Sequence, residues 1–328
     1  MKRAVINNLF CELGPEEFLQ TSLELFQFQM QQNAVYAAFC KALHISNTPI
    51  ESWLQIPFLP IGLFKSHQVK TTVFEPEIVF ESSGTTQSVP SRHLVKEVAL
   101  YEHSFINGFY RQYGSPEEYC ILALLPSYLE REHSSLVYMV QKLMEIGGHP
   151  DNGFFLNNSR ELYHKMEQLE RQQQRVLLIG VTYALLDFAE QFPIRCTKTI
   201  VMETGGMKGR RKELIREEVH ERLMKGFGVP QVHSEYGMTE LLSQAYSKGD
   251  GVFVCPPWMK VLVREEDDPL RLQETGRGVI NIIDLANVYS CSFIATDDVG
   301  EVFADGSFKV LGRRDNSDIR GCSLMAVS

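Results

Sequence analysis

Between residues 73 and 225 the chain switches repeatedly between two hydrophobic periods, and this alternation limits it to few architectures. Val73–Phe80, Tyr119–Leu125, Arg175–Val181 and Lys198–Glu203 are short apolar, strand-like runs. Between and after them lie helical patterns at Leu94–Tyr113, Ser134–Ile146, Ser159–Gln173, Tyr183–Gln191 and Lys208–Lys225. Parallel strands need a crossover connection, usually a helix. The alternation therefore predicts an α/β fold around a largely parallel sheet.

Both flanks differ. Residues 14–44 carry apolar side chains at helical spacing (Phe18, Leu23, Phe26, Met30, Ala34) and predict one or two amphipathic helices. Pro57 and Pro60 interrupt the apolar stretch 53–64, which suits an extended segment packed on the body. After residue 250 the pattern becomes short strands: Val252–Val254, Met259–Val263, Gly278–Ile283, Ser292–Ala295, Glu301–Phe303 and Phe308–Val310. Turn signals such as Asp250-Gly251 and Asp305-Gly306 separate some of them, so a small β-rich lobe is expected here.

The formal net charge of −9 repels a phosphate backbone and argues against nucleic acid as a partner. No run approaches the roughly 20 apolar residues of a membrane span. The N-terminus is too short in apolar residues, and too polar, for a signal peptide. Seven scattered Cys without a CxxC pair argue against a disulfide framework and a structural zinc site, and a reducing cytoplasm is the simplest home.

Four local features carry chemistry. The run Glu81-Ser82-Ser83-Gly84-Thr85-Thr86-Gln87-Ser88 follows a strand and is read as preceding a helix. Small hydroxyl residues around a Gly can converge N–H and OH groups on phosphate oxygens, although a plain Ser/Thr connecting loop fits equally well. The second feature, His233-Ser234-Glu235-Tyr236-Gly237-Met238-Thr239-Glu240, offers a ring to stack, a hydroxyl and a carboxylate for Mg²⁺. On its own it also reads as a capped turn before a helix. The third is Thr204-Gly205-Gly206 at a strand end, where bare backbone admits a flat ligand, or simply turns. The fourth is Asp297-Asp298 followed by Gly312-Arg313-Arg314-Asp315, suited to ribose hydroxyls or to a solvated hairpin.

In this order the features resemble the adenylate-forming superfamily of acyl-CoA synthetases, peptide-synthetase adenylation domains and luciferase-like ligases. The matched positions span residues 82–315. The segment Ile56-Pro57-Phe58-Leu59-Pro60-Ile61-Gly62-Leu63-Phe64-Lys65 and the ending 312–324 resemble more narrowly the acyl-protein synthetases of the bacterial luminescence (LuxE) type. That resemblance implies an α/β adenylation core at 1–250, a β-rich subdomain of the same core at 251–311 and a hinge-like tail at 312–328, with the C-terminal lid domain absent. It implies ATP and Mg²⁺ as cofactors. Ser82, Ser83, Gly84, Thr85 and Thr86 would wrap the phosphates. Gly205 and Gly206 would border the adenine, with Tyr236 and Gly237 against it. Thr239 would contact the α-phosphate, Thr86 and Glu240 the metal, Asp298 the ribose, and Arg313 ribose or phosphate. His133 would gate the acyl pocket.

The implied reaction joins a carboxylic acid, foremost a fatty acid, to AMP. The acyl group would pass to Cys322 and on to an acyl reductase or acyl carrier partner. Arg313, Arg314 and Arg320 close to Cys322 in sequence would favour its thiolate. The other Cys read as core. Three departures from the superfamily pattern stand out: Gln87 for the usual Gly, Arg92 for the usual Lys, and Asp297 for the usual Gly. Two rival readings remain: a ligase to coenzyme A or a carrier protein, like the phenylacetate-CoA ligases, and a non-catalytic subunit of a reductase or acyltransferase complex.

Overall fold

The structure is a computed structural model that describes residues 6, 9–45, 49–83, 89–126, 131–205 and 214–314. Two N-terminal helices, α1 (Pro15–Gln32) and α2 (Ala34–Ala42), meet at Asn33, whose side chain caps α2 by accepting from the backbone of Val35 and Tyr36. The Pro-interrupted stretch that follows forms a two-residue strand β1 (Leu59–Pro60) and a single helical turn α3 (Leu63–Ser66). The strands β2 (Ile78–Glu81) and β3 (Arg92–Val95) then pair as an antiparallel hairpin.

The alternating region follows. It runs α4 (Val98–Tyr113), β4 (Cys120–Leu124), α5 (Ser135–Gly147), β5 (Gly153–Phe154) and α6 (Ser159–Arg171). It continues through β6 (Val176–Val181), α7 (Thr182–Gln191), β7 (Thr199–Thr204), α8 (Arg216–Phe227) and β8 (His233–Tyr236). The remaining strands are β9 (Ala245–Ser247), β10 (Val252–Val254), β11 (Met259–Arg264), β12 (Leu272–Gln273), β13 (Gly276–Asp284), β14 (Phe293–Val302) and β15 (Phe308–Arg313).

One sheet carries nearly all of these strands, in the order β12-β11-β13-β14-β15-β10-β9-β8-β7-β6-β4-β5. Its β5–β8 end is parallel. From β8 to β12 every pairing along this order is antiparallel, with β1 added in parallel to β14, so the sheet is mixed and not largely parallel as the alternation suggested. The parallel strands β4 and β6 are buried along their whole length, which is why they read as unbroken apolar runs.

Four expectations need correction. The strand expected over Val73–Phe80 begins only at Ile78; Pro76 and a left-handed Thr72 (φ 77°) break the run. The helix expected from Leu94 starts at Val98, whose N–H donates to the Glu77 carboxylate at 2.7 Å. Residues 92–95 are strand, so the Ser/Thr-rich loop closes a hairpin and does not lead into a helix. The two strands expected at 292–295 and 301–303 are one ten-residue strand, β14.

Candidate functional site

Two stretches far apart in sequence meet at the neck of the β2–β3 hairpin. Ser82 N–H donates to the Ser91 carbonyl at 3.0 Å, and Ser91 N–H donates to the Ser82 hydroxyl at 2.9 Å. The Ser82 hydroxyl thus helps close the neck, and Ser83 follows it into the loop. Ser91, 2 % exposed, hydrogen-bonds in turn to the buried Glu240 carboxylate. Burial pushes the Glu240 carboxyl up, while Ser91, Arg313 and Lys65 act in the opposite direction. This is the response expected of a buried carboxylate with incomplete charge compensation.

His93 fixes the contact from the next strand. Its Nδ1 donates to the Thr239 carbonyl at 2.8 Å, and its Nε2 lies 3.0 Å from Asn287 Oδ1. Asn287 Nδ2 donates to the Glu240 carbonyl at 2.8 Å. Burial holds the His93 imidazole down at about 4, so the neutral ring has a single N–H, which it donates to Thr239. Phe64 of α3 packs edge-on against its ring at 6.0 Å, which places Lys65 beside the turn.

The Tyr236–Asp298 pair forms a second wall. Tyr236 ends β8 buried, with its ring against Phe253 and Phe308. Its hydroxyl donates to Asp298 Oδ2 at 2.9 Å. Arg313, directly across from Asp298 in the β14–β15 register, has its Nε 3.9 Å from Asp298 Oδ1 and a side chain 67 % exposed. Burial raises the Asp298 carboxyl; the Tyr236 hydroxyl and Arg313 lower it. A buried carboxylate with an exposed arginine beside it can recognise sugar hydroxyls, because its lone pairs outnumber the donors it meets.

Gly205 follows β7 with φ 70°, and its carbonyl accepts from the Thr182 hydroxyl at 2.6 Å. Gly237 lies exposed after β8; a Cβ there would stand 2.5 Å from Glu235 Oε1. Bare backbone at both turns thus has a steric reason. His133 is exposed beside β2: its Nδ1 faces the Val79 carbonyl at 3.2 Å, and its own carbonyl accepts from Glu81 N–H at 2.8 Å. Arg92 pairs with Glu81 across the hairpin, Nε to Oε1 at 3.5 Å.

The fold therefore gathers Ser82, Thr239 and Glu240 at one point, with Arg313 near enough to act on Glu240. It joins Tyr236 and Asp298 to the same Arg313. Gly84, Thr85, Thr86, Gly206 and Cys322 lie outside the described residues. Nothing local in the sequence singles out Ser91, His93, Glu235 or Asn287, whose roles depend on partners 31 to 194 positions away. Of the six described cysteines only Cys11 is exposed. Burial pushes the Cys40 thiol up to about 11 and those of Cys120, Cys196, Cys255 and Cys291 up to about 12.

Comparison with known proteins identifies a family and a fold. The family described as acyl-protein synthetase, LuxE, matches residues 16–327. No curated protein matches the chain. Among solved structures, ATP-bound MatB from Rhodopseudomonas palustris is similar at 15% identity and a TM-score of 0.54, over 74% of this chain and 50% of that one. A long-chain-fatty-acid-CoA ligase (FadD1) from Archaeoglobus fulgidus is similar at 17% identity and a TM-score of 0.52, over 72% of this chain and 51% of that one. This chain spans about half the length of these structures, and at such identities the likeness is one of fold. The fold is the mixed α/β fold of adenylate-forming enzymes, and the chain belongs to the acyl-protein synthetase, LuxE, family.

Proposed function

We propose that the chain activates a carboxylic acid, foremost a fatty acid, as its acyl-adenylate and transfers the acyl group to a thiol. The observation that carries this reading is the meeting of the Ser82–Ser91 neck with Glu240, beside Arg313 and Asp298. Serine hydroxyls, one buried carboxylate and one exposed guanidinium suit a nucleoside triphosphate better than any group needing a general base. The acid carboxylate attacks the α-phosphorus; a new C–O–P link forms, the bond to the β-phosphate breaks, and pyrophosphate leaves with both electrons. A carboxylate is already a nucleophile, so the protein's task is alignment and charge neutralisation.

Glu240 fits a magnesium ligand. Protein-bound magnesium usually takes one or two carboxylates and completes its shell with phosphates and water. A cation beside this buried carboxylate would offset the burial that raises it. When bound, the ion would spread the charge of the phosphates. Tyr236 orients Asp298 toward the ribose, and Arg313 bridges Asp298 and the phosphate side.

In the second step the Cys322 thiolate attacks the acyl carbon; the C–S bond forms, AMP departs, and the thiol proton goes to solvent. Five of the described cysteines are unsuited to this step because their raised thiols stay protonated at neutral pH. An acyl reductase or carrier protein would then take the acyl group.

Acid-dependent exchange of labelled pyrophosphate into ATP tests the first step. Glu240→Gln should slow exchange on the order of 100-fold. Cys322→Ser should retain exchange and lose acyl label from the protein; label lost to added coenzyme A instead would favour a ligase to that acceptor. Absence of exchange with every aliphatic and aromatic acid would sink the reading.

A further inference from the structure

Strand β8 presents two faces. Tyr236 points toward Phe253, Phe308 and Asp298. Successive side chains on a strand point to opposite faces, so Glu235 points the other way. There it accepts a hydrogen bond from the Thr204 hydroxyl, immediately before Gly205. Its cross-strand partner on β9 is Tyr246, and directly opposed residues share a face. Gln244 lies one step before β9, its Cγ 3.3 Å from where a Cβ would stand on Gly237. Glu235 Oε1 is 2.5 Å from that same point.

Glu235 and Gln244 therefore approach the exposed bare backbone of Gly237, and Tyr246 stands across from Glu235 on the same face. Glu235 is 8 % exposed, Gln244 5 % and Tyr246 2 %. The Gln244 Oε1 and the Tyr246 hydroxyl are buried with no hydrogen-bond partner among the described residues. Two such orphans in one place are unusual, since buried polar groups in native proteins nearly always find partners and each orphan is costly. Tyr101 of α4 faces the cluster electrostatically and donates to the Ser135 carbonyl at 2.9 Å, two residues after His133. The cluster thus lies between the Gly205 turn, Gly237 and the start of α5.

We propose that Glu235, Gln244 and Tyr246 form the polar end of the acid pocket, selecting an acid whose acyl chain carries a hydrogen-bond donor, a hydroxyl or an amine. This rests on the adenylation reading, because a nucleotide on the Tyr236 face leaves the opposite face for the acid. Two of the three groups offer acceptor oxygens: the Gln244 amide oxygen and the Glu235 carboxyl. An unsubstituted alkyl end would leave them unpaired and gain nothing from them. A site with buried hydrogen-bonding groups rejects an analogue lacking the matching group far more strongly than an apolar pocket rejects an added hydroxyl. Burial brings Glu235 up to about 7, so its carboxyl can meet a hydroxyl or become the counter-ion of an ammonium.

The test uses the full chain, with short, medium and long acids in matched sets: unsubstituted, hydroxyl-bearing and amine-bearing. Binding is measured by calorimetry without ATP, and exchange of pyrophosphate is measured in parallel. The wild-type chain should bind a donor-bearing acid at least about tenfold more tightly than its unsubstituted match. Glu235→Gln, nearly isosteric, should erase the preference for the amine; Gln244→Leu should erase that for the hydroxyl. Thermal melts of both variants establish that they fold. Equal or tighter binding of unsubstituted acids, no binding of any acid, or an unchanged preference in both folded variants overturns the proposal. Selective binding without exchange upholds the pocket and sinks the adenylation reading.

Discussion

Glu235 and Tyr236 are adjacent in the chain yet live in different chemistry. The Tyr236 hydroxyl is the donor that keeps the Asp298 carboxyl from rising further, so Tyr236→Phe leaves a buried carboxylate short of a partner. The expected cost is about 1–3 kcal/mol of stability, with a raised KM for ATP, read from denaturant melts and exchange kinetics. Glu235 carries a pH signature. Burial and Glu203 raise it from 4.5 to about 7, against the Thr204 hydrogen bond. A folded carboxyl raised above its unfolded value favours folding while protonated. Its contribution is complete below about pH 4.5 and is lost as pH rises through about 7. His233, held at about 4, stays neutral over most of that window. Denaturant unfolding at pH 5 and pH 8 should therefore show the wild type losing more stability than Glu235→Gln, by up to about 3 kcal/mol. Equal losses would mean that Glu235 does not titrate there.

At the scale of elements, the β2–β3 hairpin carries the Ser/Thr-rich loop, and His93 ties it to the 239–240 turn. His93→Gln should cost about 1–3 kcal/mol near neutral pH, where the bracket is intact. The imidazole is depressed from 6.5 to about 4, so its neutral form favours folding above pH 6.5 and that contribution is lost as pH falls through about 4. The stability gap between wild type and His93→Gln should narrow over that interval; a constant gap would refute the bracket. This hairpin was not legible in the sequence. Its second strand merges without an apolar break into the helical pattern of α4, and only the capping of Val98 by Glu77 marks the boundary. By contrast, β4, α5, α6, β6, α7 and β7 were legible to within a residue or two, because each buries one continuous period. β8 was obscured for the opposite reason: all four of its residues are buried, but His233, Ser234 and Glu235 are polar and resemble a turn. Motif order picked out Tyr236, Glu240 and Asp298. Ser91, His93 and Asn287 stayed hidden because a hydrogen bond across 146 or 194 positions leaves no local trace.

For the whole molecule, the question is what holds two ends of the chain to one site. The N-terminal helices are bound to the segment between β13 and β14 by buried hydrogen bonds, not by apolar contact alone. Gln29 Nε2 donates to the carbonyls of Asn287 and Val288 and to the Ser292 hydroxyl, each at 3.0 Å, while its Oε1 accepts from Ser292 N–H at 2.9 Å. Asn33 Nδ2 donates to the Ser290 carbonyl at 3.0 Å, which also accepts from Thr71. The same segment holds the Glu240 turn through Asn287 and sets Asp284 under Leu242 and Ser243. The helices α1 and α2 therefore buttress the turn from behind through Gln29 and Asn33. Gln29→Leu removes donors from carbonyls that stay buried, at an expected cost of about 1–3 kcal/mol for each group left unpaired. Because Gln29 and Asn287 share this segment, the double variant Gln29→Leu with Asn287→Ala should be less destabilised than the sum of the singles. The coupling is read from a denaturant double-mutant cycle. Residues in one hydrogen-bonded network couple by about 0.5–3 kcal/mol, whereas additivity within about 0.5 kcal/mol would show that the helices and the Glu240 turn are held independently.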